Sequence, residues 1–233
     1  ISWAAGTLTY NAGGYTGGKY GAKYANGVYV LHDVGNTAAY TSTDGLSFTQ
    51  RSTVNLAASH ASFAYGNGVW VVVGDASTNT YYSTDNGVTW TVSVAASAFY
   101  NVAFGAGTFV AVGSSGACYT SPNGVTWTSR SAGASGLYGV AYGNGLFVAV
   151  GAALYTSTDG ITWTSRTNPT TGYGIAYGDG MFYLAGTSTT SATSTNGTSW
   201  TTFTSNATAV DYGNPVAYGA GRFVAATGAS YLL

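Results

Sequence analysis

Charged residues make up only 6% of this 233-residue chain, and glutamate does not occur at all. An ordinary soluble domain carries about 25%. The basic residues are scattered along the sequence, so no basic stripe is present that would neutralise a row of phosphates. We therefore expect neither nucleic acid nor an anionic membrane as a partner. The basic positions are Lys19, Lys23, Arg51, Arg130, Arg166 and Arg222.

Cysteine and histidine are also scarce. Cys118 is the only cysteine, which excludes an internal disulfide, and its position in the pattern predicts a small buried strand residue. His32 and His60 are the only histidines, and they have no cysteine or glutamate beside them, so they make a poor metal site. We expect no metal and no cofactor. His60 opens a predicted strand and is a candidate ligand contact.

Long apolar runs are missing as well. No run approaches the roughly 20 residues that span a bilayer, so membrane insertion is not expected. The chain is instead rich in glycine, with 35 residues, and poor in proline, with three. Its apolar residues are mostly Val, Ala, Tyr and Trp, which favour strands. This composition predicts an all-β protein with many short strands and tight turns.

One phrase, an aromatic residue followed by a Gly-rich turn and an apolar strand, returns six times. The intervals between its leading aromatics are 41, 39, 38, 35 and 41 residues. A period near 40 with four strands per unit is typical of β-propellers. We predict one domain over residues 1–233, a six-bladed β-propeller with four antiparallel strands in each blade. The leading aromatics are Tyr24, Tyr65, Phe104, Tyr142, Tyr177 and Tyr218.

Residues 138–166 show how one repeat is organised. Alternation predicts a first strand over 138–142, and Asn144-Gly145 predicts a type I′ hairpin turn. The run 146–150 is apolar throughout and predicts a strand that is buried on both sides. Further strands are predicted over 154–157 and 161–165, separated by a turn at Asp159-Gly160.

The second turn of the repeat carries its own motif. It reads Ser83-Thr-Asp-Asn-Gly-Val-Thr-Trp90 in its fullest copy, and four shorter copies stand at the same phase. We predict that the Asp or Asn side chain closes the turn by accepting backbone N–H groups, while the aromatic residue packs the fourth strand onto its sheet. The motif positions are Asp44, Asp85, Asn123, Asp159 and Asn196, with Trp90, Trp127, Trp163 and Trp200 as the tryptophans.

This motif resembles the Asp-box, or BNR repeat, of sialidase-like propellers, which reads Ser-x-Asp-x-Gly-x-Thr-Trp. Only the copy at Ser83 to Trp90 matches in full, since the others lack one residue before the Gly. The repeats are also similar to those of phage tail or surface proteins and of bacterial adhesins. The resemblance implies a propeller that works outside the cell, at a cell surface or on a virion surface, and the low charge agrees with such a setting.

The two ends of the sequence resemble parts of one repeat. Residues 1–3 match a fourth strand and residues 228–233 match a third, so we predict that the N-terminal strand closes the last blade. Because the sequence starts without Met, we interpret it as a processed chain or a piece of a longer one.

The sialidase superfamily implies an enzymatic alternative, which the residues do not support. That family needs three converging arginines, a Tyr nucleophile paired with Glu, and an Asp acid/base. This chain has no Glu, and Arg51, Arg130 and Arg166 occupy equivalent positions in three different repeats. Two acids, Asp33 and Asp75, follow the second strand of adjacent repeats and form a weak candidate pair for a diverged glycoside hydrolase. We expect the protein not to be an enzyme.

A ring of aromatic residues is the strongest candidate site. Four residues before each leading aromatic, the repeats carry Tyr20, Ala61, Tyr100, Tyr138, Tyr173 and Asn214. These positions fall on the first strand, which lies nearest the propeller axis, so they would form a ring at one mouth of the channel. The tyrosines either pack between blades or present a binding surface for a sugar or a partner chain.

Three functions remain open on these observations. The first is a non-enzymatic module for structural attachment or adhesion that binds a glycan or a partner protein through its loop face. The second is a lectin with sugar pockets at the tyrosine ring or between blades. The third is a diverged glycoside hydrolase.

Overall fold

The computed structural model describes residues 20–33, 38–54, 61–76, 78–95, 97–133, 136–205 and 216–225. These residues form five four-stranded antiparallel sheets and one two-stranded sheet. We call the sheets blades 1 to 6 in chain order. The predicted strands at 1–3 and 228–233 lie outside the described residues, as do His60 and Asn214.

Each complete blade is built from strands in simple sequential order. Blade 1 contains β1 (Tyr20–Ala25), β2 (Val28–Asp33), β3 (Ala38–Ser42) and β4 (Thr49–Thr53). Blade 2 contains β5 (Ala61–Gly66), β6 (Val69–Gly74), β7 (Asn79–Ser83) and β8 (Thr91–Val94). Blade 3 contains β9 (Phe99–Gly105), β10 (Thr108–Gly113), a 3₁₀ turn (Ser114–Gly116), β11 (Ala117–Ser121) and β12 (Thr128–Ser131).

The same order continues in the C-terminal half. Blade 4 contains β13 (Leu137–Gly143), β14 (Leu146–Gly151), β15 (Leu154–Ser157) and β16 (Thr164–Arg166). Blade 5 contains β17 (Gly172–Gly178), β18 (Met181–Gly186), β19 (Thr190–Ser194) and β20 (Thr201–Thr204). Blade 6 is described by β21 (Val216–Gly219) and β22 (Arg222–Ala225). Across these ranges, no helix is long and apolar enough to cross a membrane.

The core lies between consecutive blades. The residues from Phe147 to Val150 on β14 all have no exposed surface. Phe147 and Ala149 pack in the cluster shared with blade 3, whereas Val148 and Val150 pack in the cluster shared with blade 5. Because side chains alternate along a strand, an apolar run with no polar position results. This confirms the prediction that the second strand is buried on both sides.

The fourth strand starts later than the sequence predicts. We predicted a strand over 161–165, but β16 covers Thr164–Arg166. The reason is that the Asp159 carboxylate accepts the backbone N–H groups of Ile161 and Thr162, both at 2.8 Å. These two residues therefore belong to the turn, and Ile161 remains 46% exposed.

The hairpin between the first and second strands forms as predicted. Asn144 and Gly145 have φ angles of 49° and 75°, the positive values that a type I′ turn requires. The Asn144 side chain also donates to the Thr195 carbonyl in the motif turn of blade 5, at 3.4 Å. Hairpins and motif turns therefore lie on one face of the molecule. The opposite face carries the starts of the first strands and the connections between second and third strands.

The motif turns of blades 1, 3, 4 and 5 share one hydrogen-bond pattern. In blade 1, Asp44 Oδ1 accepts from the backbone N–H groups of Leu46 and Ser47, both at 2.8 Å. Asn123 Oδ1 accepts in the same way in blade 3, so a neutral amide serves as well as a carboxylate. In blade 2 the carboxylate of Asp85 instead accepts from both the N–H and the hydroxyl of Thr89, because that turn is one residue longer.

Candidate functional site

Tyr100, Tyr138 and Tyr173 each occupy a β-bulge. In blade 4, Leu137 pairs with Gly151 and Gly139 pairs with Val150, so Tyr138 is skipped by the ladder. The register skips Tyr100 in blade 3 and Tyr173 in blade 5 in the same way. A bulge leaves its extra residue unpaired and changes the direction of its side chain. The same backbone irregularity therefore sets the direction of all three tyrosine side chains.

Blades 1 and 2 lack this bulge at the matching position. Tyr20 and Gly21 pair with consecutive residues of β2. Ala61 and Ser62 likewise pair with Gly74 and Val73 without a break. The predicted ring is therefore not uniform: blades 3, 4 and 5 form a distinct arc, and the side chain of Tyr20 lies outside the described residues.

The rings of the arc contact one another. The centroids of Tyr100 and Tyr138 lie 5.5 Å apart with planes at 52°, and those of Tyr138 and Tyr173 lie 5.1 Å apart at 82°. These separations are within the range of favourable aromatic pairs. All three side chains are half-buried. Each tyrosine therefore packs against its neighbour and still presents part of its surface to solvent. We call this set the tyrosine arc.

A pocket of about 250 Å³ opens between the first two rings of the arc. It lies between blades 3 and 4, on the face opposite the hairpins, and none of the described residues that line it is charged. Sequence reasoning did not find four of the six, although a Ser-Ser-Gly connection and a Gly two residues before Tyr138 were visible signals. The lining residues are Tyr100, Ser114, Ser115, Gly136, Tyr138 and Ala152.

The two serines of the pocket stand on the 3₁₀ turn between β10 and β11. Both are exposed, and Ser115 adopts the left-handed conformation with φ 54° and ψ 30°. Only a few per cent of non-glycine residues have a positive φ. Within the ranges that the structure describes, neither serine hydroxyl has a hydrogen-bond partner. The turn thus places two hydroxyl groups at the pocket that form no hydrogen bonds with the described residues.

The floor of the pocket is fixed by backbone contacts. The N–H of Ala152 donates to the carbonyl of Gly136 at 3.1 Å, which joins the connection entering β13 to the one leaving β14. Gly136 has a φ of 61°, and a Cβ there would stand 2.9 Å from the hydroxyl oxygen of Tyr138. Because position 136 is a glycine, no side chain atom there crowds the Tyr138 hydroxyl.

The other candidate residues are dispersed or occupied. Asp75 is half-buried in a bend just after β6, whereas Asp33 ends β2 with its backbone paired to Tyr20 and Ala38. The Asp33 side chain lies outside the described residues, so the proposed carboxylate pair stays a prediction. His32 is buried, and its Nε2 lies 2.8 Å from the carbonyl oxygen of Val54.

The three equivalent arginines are held separately on the outer strands. In each case Nε donates to the hydroxyl of a threonine in the same blade: Arg51 to Thr41 at 2.8 Å, and Arg130 to Thr120 at 2.9 Å. Arg166 donates to Thr156 at 2.9 Å in the same way. They do not converge on one point.

The acids of the motif turns are held as carboxylates. Backbone N–H groups of Ser47 and Leu46, together with the Ser42 hydroxyl, lower the pKa of Asp44 to about 2. The N–H groups of Thr162 and Ile161 lower the pKa of Asp159 below its ordinary value. Desolvation raises the pKa of Asp85, but hydrogen bonds from Thr89, Ser83 and Val88 together outweigh it, so that this pKa also lies below its ordinary value. A carboxyl group of this kind is a poor proton donor near neutral pH.

Cys118 is buried with no exposed surface, and burial raises the pKa of its thiol to about 12. It is therefore a thiol rather than a thiolate nucleophile at neutral pH. No group of three or more His, Cys, Asp or Glu side chains that would hold a metal ion occurs in the described ranges.

Comparison with solved structures settles the architecture. Virginiamycin B lyase from Staphylococcus aureus superimposes with a TM-score of 0.73 over 89% of this chain and 77% of that chain, at 13% identity. YCF48 bound to D1 peptide superimposes with a TM-score of 0.64 over 92% of this chain and 76% of that chain, at 18% identity. The chain folds as a β-propeller. This confirms the fold that the repeat period predicts.

A third structure widens the range of propellers that match. The GH74 enzyme of Niastella koreensis superimposes with a TM-score of 0.58 over 77% of this chain and 29% of that chain, at 23% identity. No family model matches the sequence, and no curated protein matches it either. At these identities the likeness shows the propeller fold alone, because propellers with one fold perform unrelated functions.

Proposed function

We propose that this propeller is a non-catalytic binding module for attachment or adhesion outside the cell, at a cell surface or on a virion surface. In this proposal it binds its partner through the face that carries the tyrosine arc. The observation that carries the proposal is the arc itself: three half-buried tyrosines in contact, each aimed by a bulge, beside two exposed serine hydroxyls. Aromatic side chains with polar tips are enriched at recognition surfaces.

The condition of the reactive groups supports a non-catalytic role. Asp44, Asp85 and Asp159 accept hydrogen bonds that close turns, and the described histidine and the cysteine are buried. The arginines are held apart on separate blades. A general acid or base needs access to its substrate and a pKa near the working pH, and these groups lack one or both.

The extracellular part of the proposal depends on composition and on the resemblance to Asp-box repeats. The chain has 6% charged residues and no glutamate, and its repeats are similar to those of phage tail proteins and bacterial adhesins. A rigid ring of repeats that each contact only their neighbours suits a module that carries load or displays a binding face.

A glycan is the partner that the arc favours, and a peptide is the second candidate. Sugars are recognised by aromatic faces together with hydroxyl groups, and the arc offers both. The peptide alternative is favoured by one of the matching propellers, YCF48, which was solved bound to D1 peptide. A peptide would use the same tyrosines by packing its side chains against their rings.

The first test is a glycan-array screen of the purified protein, followed by a screen against peptide libraries. Tyr138→Ala removes the central ring of the arc and is expected to abolish binding. Tyr24→Ala is the matched control, because Tyr24 is 57% exposed at the opposite end of a first strand. Tyr138→Phe keeps the ring and separates loss of the hydroxyl from loss of packing.

Two positive results would contradict the proposal, and so would a folded sample that binds neither glycan nor peptide. A folded protein that cleaves a glycosidic bond of a sugar on the array would be an enzyme, and the glycoside hydrolase alternative would replace the proposal. A folded protein whose binding is weakened by Tyr24→Ala and unaffected by Tyr138→Ala would bind through the hairpin face instead.

A further inference from the structure

We propose that the pocket between Tyr100 and Tyr138 is a subsite for a single neutral sugar residue. The inference rests on the proposed function, and it adds the position of the site, the charge of the ligand and its size. It is carried by the lining of the pocket, by the difference between this inter-blade gap and the next, and by the backbone geometry around the pocket.

The lining selects a neutral ligand. It consists of two tyrosines, two serines, a glycine and an alanine. A carboxylate or ammonium group that entered the pocket would lose water without gaining a partner of opposite charge, which is costly. A neutral sugar suits the same surface, because its C–H face packs on an aromatic ring while its hydroxyls exchange hydrogen bonds with serine hydroxyls.

The neighbouring gap differs from the pocket between blades 3 and 4 in its lining. Between Tyr138 and Tyr173, the connection that corresponds to Ser114-Ser115 is Ala152-Ala153, which carries no hydroxyl. The Tyr138–Tyr173 centroids are also closer, at 5.1 Å against 5.5 Å, and their planes are nearly perpendicular. The two serine hydroxyls and the wider separation of tyrosine rings are therefore both found in the gap between Tyr100 and Tyr138.

The size of the pocket suits one sugar ring. Sites for drug-sized molecules usually measure about 300–1,000 Å³, whereas this pocket measures about 250 Å³. A longer glycan would place one residue in the pocket, and its remaining residues would extend along the exposed part of the arc towards Tyr173.

The site is built before the ligand arrives. Bulges fix Tyr100 and Tyr138, the left-handed backbone at Ser115 fixes the serine turn, and the bond from Ala152 to Gly136 fixes the floor. A ligand that enters a preorganised site has less conformational entropy to offset. This matters for a small ligand, which makes few contacts.

The test uses the intact chain and a panel of methyl glycosides: neutral hexoses, N-acetylhexosamines, glucuronic acid and sialic acid. Saturation-transfer NMR identifies binders, and titration calorimetry measures Kd. Ser114→Ala with Ser115→Gly removes both hydroxyls, and glycine tolerates the positive φ at position 115. Ser129→Ala, at an exposed position of β12, is the matched control.

We expect at least one neutral glycoside to bind and the charged sugars not to bind. Each lost hydroxyl should weaken binding about 2- to 10-fold, so the double variant should raise Kd by about one order of magnitude. Tyr100→Phe and Tyr138→Phe should retain most of the binding through their rings, whereas Ser129→Ala should leave Kd unchanged.

Other outcomes separate the subsite from the broader function. If a neutral glycoside binds but the double serine variant has the wild-type Kd, the pocket is the wrong location and the binding module stands. Preferential binding of a charged sugar would overturn the neutral-ligand inference, and so would binding of peptides but no glycoside through the tyrosine arc. If a folded sample binds neither glycan nor peptide, both the subsite and the proposed function fail.

Discussion

The ring of Tyr177 in blade 5 lies directly over Gly143 in blade 4 and occupies the space where a Cβ atom would stand. The same relationship joins Gly105 to Tyr142 and Gly178 to Tyr218. A leading aromatic of one blade thus covers the glycine that follows the leading aromatic of the preceding blade. Two blades differ: blade 1 has Ala25 at this position, and in blade 6 no described residue lies within 4 Å of the Cβ position of Gly219.

This relationship predicts a large difference between two identical substitutions. Gly143→Ala would force the Tyr177 ring and the backbone of β17 to move, and overpacking of this kind costs about 1–3 kcal/mol. Gly219→Ala should leave the free energy of unfolding nearly unchanged. Urea denaturation of both variants measures the difference. Equal destabilisation would show that Tyr24, the leading aromatic of blade 1, covers Gly219 in solution.

Asn101 connects three blades through its side chain. It is buried, donates to the Ser62 hydroxyl oxygen in blade 2 at 2.8 Å, and accepts from the N–H of Val140 in blade 4 at 2.9 Å. Asn101→Ala would leave the Val140 N–H buried without this partner, at a cost of about 1–3 kcal/mol. The measurement is the shift in unfolding midpoint. Combination with Ser62→Ala should be less than additive, and full additivity would contradict the shared network.

Acid should destabilise the propeller through its motif turns. The pKa of Asp44 is lowered from 3.8 to about 2 in the folded state. A lowered folded pKa gives a contribution that is fully present above the unfolded pKa and is lost as pH falls through the folded one. Since Asp85 and Asp159 are shifted in the same direction, we expect the melting temperature to fall between about pH 4 and pH 2.

A triple variant with Asn at positions 44, 85 and 159 provides the control for this acid dependence. Asn123 and Asn196 already accept, in blades 3 and 5, the backbone N–H groups that correspond to those bound by Asp44 and Asp159. Asp85 also accepts from the Thr89 hydroxyl, so Asp85→Asn is expected to be the least favourable of the three changes. The variant should therefore fold, and its melting temperature should depend less on pH in this range. An unchanged pH profile would place the acid sensitivity in other residues.

Cys118 should be unreactive while the protein is folded. Burial raises the pKa of its thiol to about 12, so the thiolate fraction at pH 8 is very small. A thiol reagent such as a disulfide chromophore should label the chain only in denaturant. Stoichiometric labelling of the native protein at pH 8 would show that the inter-blade core around Cys118 opens readily.

The repeat units and their turns could be predicted from the sequence because they depend on local chemistry. Asn144-Gly145 specifies positive φ angles, and the apolar run from Leu146 is buried on both sides because each blade lies between two others. The beginning of the fourth strand was predicted wrongly because the Asp159 carboxylate holds Ile161 in the turn. The period of the repeat does not show how many residues after the Asp are held in the turn by its side chain.

The tyrosine arc could be predicted only in part. The positions of Tyr100, Tyr138 and Tyr173 follow from the repeat phase, but the bulges do not, since Ala61 occupies the same phase in an unbroken ladder. The pocket combines Ser114 of one blade with Gly136 at the entry to the next and Ala152 beyond it. Such a combination depends on how two blades pack, which no single repeat specifies.

The bulges have a consequence for how this scaffold can change. The hairpins and motif turns that hold the ring together lie on one face, and the skipped tyrosines and serine turn lie on the other. A one-residue slip in the ladder at the start of a first strand would therefore add or remove a partly exposed aromatic side chain on that face without changing the hairpins or the motif turns. Evolution, or a protein engineer, can therefore lengthen, shorten or change the tyrosine arc one blade at a time while the propeller scaffold stays the same.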